Sequence, residues 1–287
     1  MLRRVFEPVS RLVRWLVRLL ASFVFGWLPV GRERLAGEGR RVLVSGCDSG
    51  IGLRLAQRLH CAGYRVLAGC LNADSEGARH LATLRDGECP VQVLPLDVTS
   101  DRSVQRALLQ GQVPEKGRVV SLSTVVSAAP SFPCMAAYYV SKAAVESFSR
   151  CLRLELARHG AHAIVVRPGD LVKHTALMDH QADENQAMWE SMDKEQRLAH
   201  GPHLAGFARG CRSKQGVLSP GRLDDSPLFG HVEHALGSRR PRALYVSDSG
   251  LWPLFLRTLA LLPTAASDAL WALYYIFLGH LGGDRAS

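Results

Sequence analysis

Residues 41–59 read RVLVSGCDSGIGLRLAQRL. The run Val42-Leu43-Val44 is apolar and β-prone, residues 45–52 are rich in glycine, and apolar residues recur at helical spacing from Leu53 onward. The stretch therefore predicts a strand, a turn and a helix. In such a unit the glycines let the backbone approach a pyrophosphate closely, and the helix N-terminus offers N–H groups and a positive dipole end. We expect this turn to bind a dinucleotide.

The glycines of the turn are Gly46, Gly50 and Gly52, which gives the spacing G-x-x-x-G-x-G. This spacing differs from the general dinucleotide fingerprint, G-x-G-x-x-G. A tight turn in another kind of α/β protein is therefore an alternative, and the rest of the chain must decide between the two.

Length and composition fit one α/β domain with added ends. The chain has 287 residues, of which 47% are hydrophobic, and this is enough to bury a full core. We expect an N-terminal arm and linker at residues 1–39, a Rossmann-like domain at residues 40–248 and an apolar helical tail at residues 249–287. The seven cysteines include no C-x-x-C pair, which argues against a disulfide framework or a zinc site and favours a reducing compartment.

The formal net charge of +9 is concentrated at the N-terminus. Residues 1–41 hold nine Arg and three Glu, so this segment carries six of the nine charges. The remainder is close to neutral and has no basic patch interleaved with aromatic residues. We therefore expect no nucleic-acid partner.

The N-terminal arm has the pattern of a basic amphipathic helix. On a helical projection its arginines fall within one face of roughly 100°. They are Arg3, Arg4, Arg11, Arg14 and Arg18. The uncharged stretch that follows, residues 19–30, is shorter than the ~20 residues of a spanning helix. The arm predicts binding to a membrane surface and is also typical of a mitochondrial targeting segment; an ordinary helix packed on its own domain is the alternative.

Strands and helices alternate after the glycine turn. Helices are predicted at residues 101–110, from Tyr138 to residue 160, and from Ser226-Pro227 to Gly237. The polar region 174–228 is expected to form substrate loops. Apolar, β-prone runs predict strands at residues 64–71, 91–96, 117–123, 163–166 and 242–247.

Tyr138 and Lys142 form a Tyr-x-x-x-Lys pair. Positions i and i+4 of a helix share a face, so both side chains are predicted to reach one site. A hydride that leaves a carbinol carbon requires the hydroxyl proton to be removed at the same time. A free phenol, with a pKa of about 10, is a poor base at neutral pH, and a nearby ammonium lowers that pKa. We therefore expect Tyr138 to act as the general acid or base and Lys142 to tune it; an interfacial tyrosine and a solvated lysine are the alternative.

With the S-G-x-x-x-G-x-G turn and Leu96-Asp97-Val98, this pair makes residues 41–247 resemble the short-chain dehydrogenase/reductase family. The phrases GCDSGIG, LAGCL, GRVV and VESFSRCLRLEL are similar to the membrane-associated branch of D-β-hydroxybutyrate, retinol and hydroxysteroid dehydrogenases, and most to the 3-hydroxybutyrate enzymes. The resemblance implies a Rossmann-like doubly wound parallel sheet. It also implies an NAD-dependent oxidoreductase that transfers a hydride between the cofactor and a secondary alcohol or ketone.

The resemblance further implies the site residues. Thr124 takes the place of the hydroxyl that polarises the substrate oxygen, with Ser123 and Ser127 as alternatives. NAD is favoured because no Arg or Lys occurs between Val66 and Gly77, and NADP stays open. The implied cofactor-binding residues are Tyr138 and Lys142 together with Ser45, Gly46, Ser49, Gly50, Ile51, Gly52, Asp97, Val98, Pro168, Gly169, Val172 and Thr175.

The chain departs from the family pattern between Asp97 and Thr124, which are only 27 positions apart. Family members carry there a strand ending in Asn-Asn-Ala-Gly and a long helix. The interval has no room for this unit, whose crossover alone takes ~10 to 12 residues, so roughly 50 to 60 residues are missing by comparison. The strand at residues 117–123 must then shift by about 4.8 Å or leave backbone groups unpaired. A catalytically impaired family member that keeps nucleotide and membrane binding is therefore the alternative function.

Residues 251–281 form two apolar pieces interrupted by Pro253, Pro263 and Asp268, and neither is long enough to span a membrane. They are expected to line a substrate pocket, to pack in a homo-oligomer interface or to lie on a membrane. With the basic arm, they predict a membrane-surface location at the mitochondrial inner membrane or its matrix side, or alternatively at the endoplasmic reticulum. The histidines lack carboxylates or cysteines at ligand spacing, so we expect no metal site.

Overall fold

The computed structural model describes residues 39–84, 90–111, 117–128, 135–175, 181–200, 219–248 and 252–281. The amphipathic helix predicted for the N-terminal arm lies outside these residues.

Strands and helices alternate along the chain, as the sequence predicts. The strands are β1 (Arg41–Ser45), β2 (Arg65–Cys70), β3 (Gln92–Pro95), β4 (Arg118–Leu122), β5 (His162–Pro168) and β6 (Leu244–Ser247). The helices are α1 (Gly50–Cys61), α2 (Glu76–Thr83), α3 (Asp101–Gly111), α4 (Ala136–Ala157), α5 (Gln181–Ser191), α6 (residues 194–200), α7 (Leu228–Gly237), α8 (Trp252–Leu261) and α9 (Thr264–Leu281). Short 3₁₀ turns lie at Val125–Ala128, Val172–His174 and Leu223–Asp225.

Helices α5 and α6 lie in the polar region for which we expected loops. Helix α5 reads QADENQAMWES, and most of its described side chains are exposed. Such a helix has no apolar stripe for periodicity to detect, although Ala, Gln, Glu and Met all have high helix propensity. The helix propensity of these residues, and not the periodicity of apolar residues, is therefore the sequence feature that indicates this helix.

The α/β class is confirmed, and the parallel strands form two three-stranded sheets in the orders β1-β2-β3 and β4-β5-β6. In the first sheet Val44 lies opposite Ala68, and Ala68 lies opposite Val93. In the second sheet Val120 lies opposite Ile164, and Val165 lies opposite Leu244. Among the described residues β1 and β4 do not pair with each other. The sheet is therefore divided between the glycine-turn strand and the strand that precedes the predicted catalytic helix.

One hydrophobic core crosses this division. Val44 and Val66 of the first sheet belong to the same buried cluster as Val166 and Tyr245 of the second, together with Phe229 of α7. Burial of apolar side chains is non-directional, so a shared core keeps the two sheets together without fixing their register.

Charged side chains of α1 join the two halves more specifically. Arg54 contacts the Asp224 carboxylate through Nε at 2.7 Å and Nη2 at 2.5 Å. Arg58 Nη2 lies 3.0 Å from Oε1 of Glu233 on α7. The guanidinium of Arg58 also lies 5.0 Å from the centre of the Phe229 ring. These contacts connect the helix after the glycine turn to the elements that precede β6.

The C-terminal tail begins as part of the folded unit. Leu256 and Leu259 of α8 are buried against Val125 and Val246. Leu261 of α8 and Leu270 and Leu273 of α9 are exposed to solvent. Within the described residues, no helix combines the length and hydropathy that crossing a bilayer requires.

Candidate active site

The glycine turn brings the start of α1 against the end of β1. A Cβ on Gly52 would lie 2.0 Å from the carbonyl oxygen of Gly46, so only glycine permits this approach. Gly50 has φ +56°, and a Cβ there would meet the His174 carbonyl oxygen at 3.3 Å. Ser49 at the N-cap makes no side-chain cap hydrogen bond. The turn thus presents backbone N–H groups at a helix start, which suits a pyrophosphate.

The other predicted residues of this turn are arranged around the same backbone. Ser45, Gly46 and Ser49 are exposed, whereas Ile51 is partly buried against the core. A Cβ at Gly46 would meet nothing within 4 Å, so the main chain there is open to a ligand, and a dinucleotide must approach the main chain itself.

Asp48, in the middle of the turn, holds the end of β2. Its carboxylate accepts hydrogen bonds from the Leu71 N–H at 2.9 Å and from the Asn72 N–H at 3.0 Å. Partial burial alone would raise the pKa of Asp48, but the N–H groups of Asn72 and Leu71 outweigh burial and lower that pKa below its ordinary value. The Asp48 carboxylate is therefore charged and lies beside the end of β2. Sequence reasoning missed this role, although an acidic residue within the glycine turn was the signal.

Asp97 and Val98 follow β3. The Asp97 carboxylate accepts hydrogen bonds from the Thr99 hydroxyl at 2.7 Å and from the Thr99 N–H at 2.9 Å, and both lower the pKa of Asp97. Asp97 therefore closes its own turn, and Val98 is exposed at the edge where the strands end.

Tyr138 and Lys142 lie on one face of α4, next to the end of β4. The Thr124 side chain lies close enough to the Tyr138 hydroxyl to lower the pKa of Tyr138. Lys142 Nζ donates to the Leu122 carbonyl oxygen at 3.3 Å and lies 5.8 Å from the centre of the Tyr138 ring. The structure therefore brings the predicted base, its cation and one candidate hydroxyl together.

The pKa of Tyr138 differs from the expectation. Burial raises the pKa of Tyr138, and the Thr124 hydrogen bond offsets only part of this effect. Burial also lowers the pKa of Lys142. Lys142 is directed to a backbone carbonyl, so its charge does not produce the lowered tyrosine pKa that we expected.

The candidate hydroxyls have different partners. Ser123 Oγ donates to the Lys142 carbonyl oxygen at 3.3 Å. Ser127 Oγ lies 2.7 Å from the Thr124 carbonyl oxygen and also contacts the Glu146 carboxylate. Of the three hydroxyls, only that of Thr124 affects the pKa of Tyr138.

Pro168 ends β5 and Gly169 follows it, and the chain then reaches the glycine turn at His174 and Thr175. The Gly169 N–H donates to the Ser247 carbonyl oxygen at 3.0 Å. Val172 and Thr175 are partly buried beyond it, and the Cα of Thr175 lies within 3.7 Å of the position that a Gly50 Cβ would occupy. Residues predicted to contact the nicotinamide and the pyrophosphate therefore meet at this point.

A metal centre is not part of the described site. In the ranges that the structure describes, no three His, Cys, Asp or Glu side chains are grouped so that they could hold a metal ion. His231 and His234 instead contact Ser247 Oγ at 2.8 Å and Tyr245 Oη at 2.7 Å.

Comparison with models of protein families identifies the family of this chain. The model of the short chain dehydrogenase family matches residues 40–114 and 107–186, which together make up half of the chain. The chain belongs to the short-chain dehydrogenase family. Members are oxidoreductases that act on CH–OH groups with a nicotinamide cofactor.

The chain is similar to several known proteins. Mitochondrial D-beta-hydroxybutyrate dehydrogenase of Rattus norvegicus is 26% identical, over 82% of this chain and 84% of that protein. Retinol dehydrogenase 16 of Mus musculus is 26% identical, over 81% of this chain and 88% of that protein. A short-chain type dehydrogenase/reductase from Mycobacterium marinum, known from a crystal structure, is 20% identical over 55% of this chain and 82% of its own, with a TM-score of 0.45.

The alignments with the two dehydrogenases contain more positions than they contain residues of this chain. The alignment with the rat dehydrogenase runs over 295 positions, yet 82% of this chain is about 235 residues. The alignment with the mouse retinol dehydrogenase runs over 290 positions and includes about 232 residues of this chain. In both comparisons about 60 aligned positions therefore have no residue in this short-chain dehydrogenase.

Proposed function

We propose that this short-chain dehydrogenase transfers a hydride between NAD(H) and a secondary alcohol or ketone. The observation that carries the proposal is the position of Tyr138 and Lys142 on one face of α4, with Lys142 Nζ 5.8 Å from the centre of the Tyr138 ring and the Thr124 side chain beside the tyrosine. Tyr138 removes or returns the alcohol proton, and the Thr124 hydroxyl orients the substrate oxygen. The bound nicotinamide supplies the hydride acceptor or donor. The named activities of the relatives support 3-hydroxybutyrate or retinol as substrate, with a steroid as a further candidate.

The proposed cofactor site extends from the glycine turn to the Pro168-Gly169 turn. Ser45, Gly46, Ser49, Gly50, Ile51 and Gly52 would hold the pyrophosphate, and Asp97 and Val98 the adenine side. Val172 and Thr175 would hold the carboxamide, and Lys142 the ribose. NAD is preferred over NADP because the charged Asp48 carboxylate, which contacts the residues after β2, would repel a 2′-phosphate. In addition, no Arg or Lys lies between Val66 and Gly77 to bind that phosphate.

The test of the catalytic assignment is the substitution Tyr138→Phe. We expect turnover of the preferred alcohol to fall by about 10²-fold or more, the range that general acid–base catalysis supplies, whereas the Kd for NADH stays within a few-fold. Tyr139→Phe is the matched control and keeps the wild-type rate, because position i+4 from Tyr139 is Ala143 and not a lysine. A Tyr138→Phe protein with the wild-type rate would show that the base lies elsewhere.

A catalytically impaired family member is the second candidate. Three observations favour it: β1 and β4 are unpaired with each other, Lys142 is bound to the Leu122 carbonyl, and about 60 positions of the relatives have no counterpart. The two family-model matches share residues 107–114 at the end of α3, where we propose that the missing strand and helix belong.

Thermal melting with saturating NADH or NADPH separates the two candidates when it is paired with activity assays. Binding at ~100 times the Kd adds about 2.7 kcal/mol to the stability of the folded state. A shift with NADH and turnover of an alcohol supports the enzyme. A shift without turnover of hydroxybutyrate, retinol or steroid substrates supports the impaired member.

We also propose that the protein binds a membrane surface at the mitochondrial inner membrane or its matrix side, with the endoplasmic reticulum as the alternative. Exposed Leu261, Leu270 and Leu273 on α8 and α9 support this proposal, as does the basic sequence of the arm. The same leucines fit a homo-oligomer interface. Residues 40–248 are proposed as the catalytic domain, with residues 1–39 and 249–287 as the associating ends.

A further inference from the structure

A buried ion pair lies directly behind the proposed active site. Arg167 Nε donates to Glu146 Oε1 at 2.7 Å, and Arg167 Nη2 donates to Glu146 Oε2 at 2.6 Å. Both side chains are only 9% exposed. A buried pair of charges is a poor device for stability alone, because apolar residues of similar size often serve as well. Its location therefore points to another role.

The two residues belong to the two elements that carry the proposed chemistry. Glu146 lies four positions after Lys142 and eight after Tyr138, on the same face of α4. Arg167 is in β5 and directly precedes the Pro168-Gly169 turn. The pair consequently joins the helix of the predicted base to the turn predicted to pass the nicotinamide.

The Glu146 carboxylate also reaches the loop that carries Thr124. Ser127 Oγ contacts the carboxylate, and the same hydroxyl lies 2.7 Å from the Thr124 carbonyl oxygen. On the other side of Thr124, Ser123 Oγ donates to the Lys142 carbonyl oxygen of α4 at 3.3 Å. The Glu146 carboxylate therefore contacts β5 and the segment after Thr124, while the segment before Thr124 is bonded to the backbone of α4.

Glu146 is charged in this network. Burial alone would raise the pKa of Glu146, but the hydrogen bonds from Arg167 and Ser127 outweigh burial and lower that pKa below its ordinary value. Charge-assisted, bidentate contacts restrict orientation more than neutral ones do. The network can thus fix the relative positions of three separate elements.

We propose that Glu146 and Arg167 are positioning residues that hold Thr124, Tyr138 and the Pro168-Gly169 turn in reactive register. This role rests on the proposed function. Neither side chain touches substrate in this role; both act through the groups that they orient. A displacement of about 1 Å at such groups costs on the order of 10²-fold in rate.

The test compares Glu146→Gln with Glu155→Gln, the same substitution at an exposed position of α4. Glu146→Gln keeps the size of the side chain and loses its charge. We expect kcat to fall by about tenfold to a hundredfold while the KM for NADH changes by less than about threefold. The pH at which kcat reaches half of its maximum should shift, because Tyr138 remains the general base while the groups that position it have changed. Glu155→Gln should match the wild type in all three quantities.

A second readout does not depend on turnover. The ring carbons of Tyr138, labelled with ¹³C and assigned with Tyr138→Phe, should shift in the NMR spectrum of Glu146→Gln and not in that of Glu155→Gln. If the wild type turns over no alcohol but this resonance shifts, the proposed function fails and the positioning role stands. An unchanged resonance together with an unchanged kcat overturns the positioning role.

Arg167→Lys covers the case in which Glu146→Gln does not fold. Lysine keeps the charge but cannot form the bidentate contact. We expect the same shift of the Tyr138 resonance and a smaller loss of kcat than in Glu146→Gln. A folded Arg167→Lys protein that is identical to the wild type in both readouts also overturns the proposal.

Discussion

The close approach of Gly52 to Gly46 makes a quantitative prediction for Gly52→Ala. The new Cβ would lie 2.0 Å from a backbone carbonyl oxygen, which cannot rotate away. Gly230→Ala is a matched control: Gly230 is also the third residue of a helix, α7, and a Cβ there would meet nothing within 4 Å. Alanine is favoured over glycine in a helix by about 1 kcal/mol, and both variants gain this contribution. The difference between them therefore isolates the steric overlap.

Overpacking typically costs about 1–3 kcal/mol, and an immovable backbone atom puts the cost at the upper end. We therefore expect Gly52→Ala to be less stable than Gly230→Ala by about 3 kcal/mol in urea unfolding at equal m-values. Because the turn must move to accept the Cβ, the NADH-induced rise in melting temperature should also be lost in Gly52→Ala and kept in Gly230→Ala. Equal stability of the two variants, with equal NADH shifts, would refute the reading of this turn as a cofactor cradle.

Further predictions concern other parts of the molecule. Asp48→Asn should raise the ratio of kcat/KM for NADPH to kcat/KM for NADH by about tenfold, which corresponds to about 1.4 kcal/mol. The reason is that the substitution removes a negative charge that repels the 2′-phosphate of NADPH. An unchanged ratio would contradict a role of Asp48 in cofactor preference. Burial lowers the pKa of His231 from 6.5 to about 4, so between these pH values the unfolded chain binds a proton at this histidine and the folded chain does not. The free energy of unfolding should therefore fall by up to about 3 kcal/mol between pH 6.5 and pH 4. This pH dependence should weaken in His231→Gln but not in His200→Gln. Deletion of residues 1–30 should move the protein from the membrane to the soluble fraction, and an unchanged membrane fraction would refute the anchor.

Local sequence signals predicted the elements and much of the candidate site. The spacing of Gly46, Gly50 and Gly52 and the apolar residues on either side define β1, the turn and α1 within a few positions. Tyr138 and Lys142 follow from a spacing of four on one helix. These features depend on neighbours in the chain, and periodicity and spacing report on such neighbours directly.

The features that sequence reasoning missed depend on residues far apart in the chain. The N–H groups that Asp48 binds lie 23 and 24 positions later in the chain, and the Arg167 guanidinium that Glu146 binds lies 21 positions later. A single carboxylate has no local signature for such a contact. Lys142 lies on the predicted helix, but its Nζ contact with the Leu122 carbonyl oxygen depends on how α4 lies against β4, which local spacing does not report.

The two halves of the site are connected by side chains rather than by hydrogen bonds between strands. Arg54 and its partner Asp224 are partly exposed, and such ion pairs contribute only about 0–1 kcal/mol each. A strand pairing would add several backbone hydrogen bonds of about 1 kcal/mol each, with a fixed register. The shared core around Tyr245 and Phe229 opposes separation but is non-directional. A dinucleotide that contacts both the glycine turn and the Pro168-Gly169 turn would therefore supply orientation that the divided sheet does not, so the bound cofactor should order the catalytic helix as well as stabilise the fold.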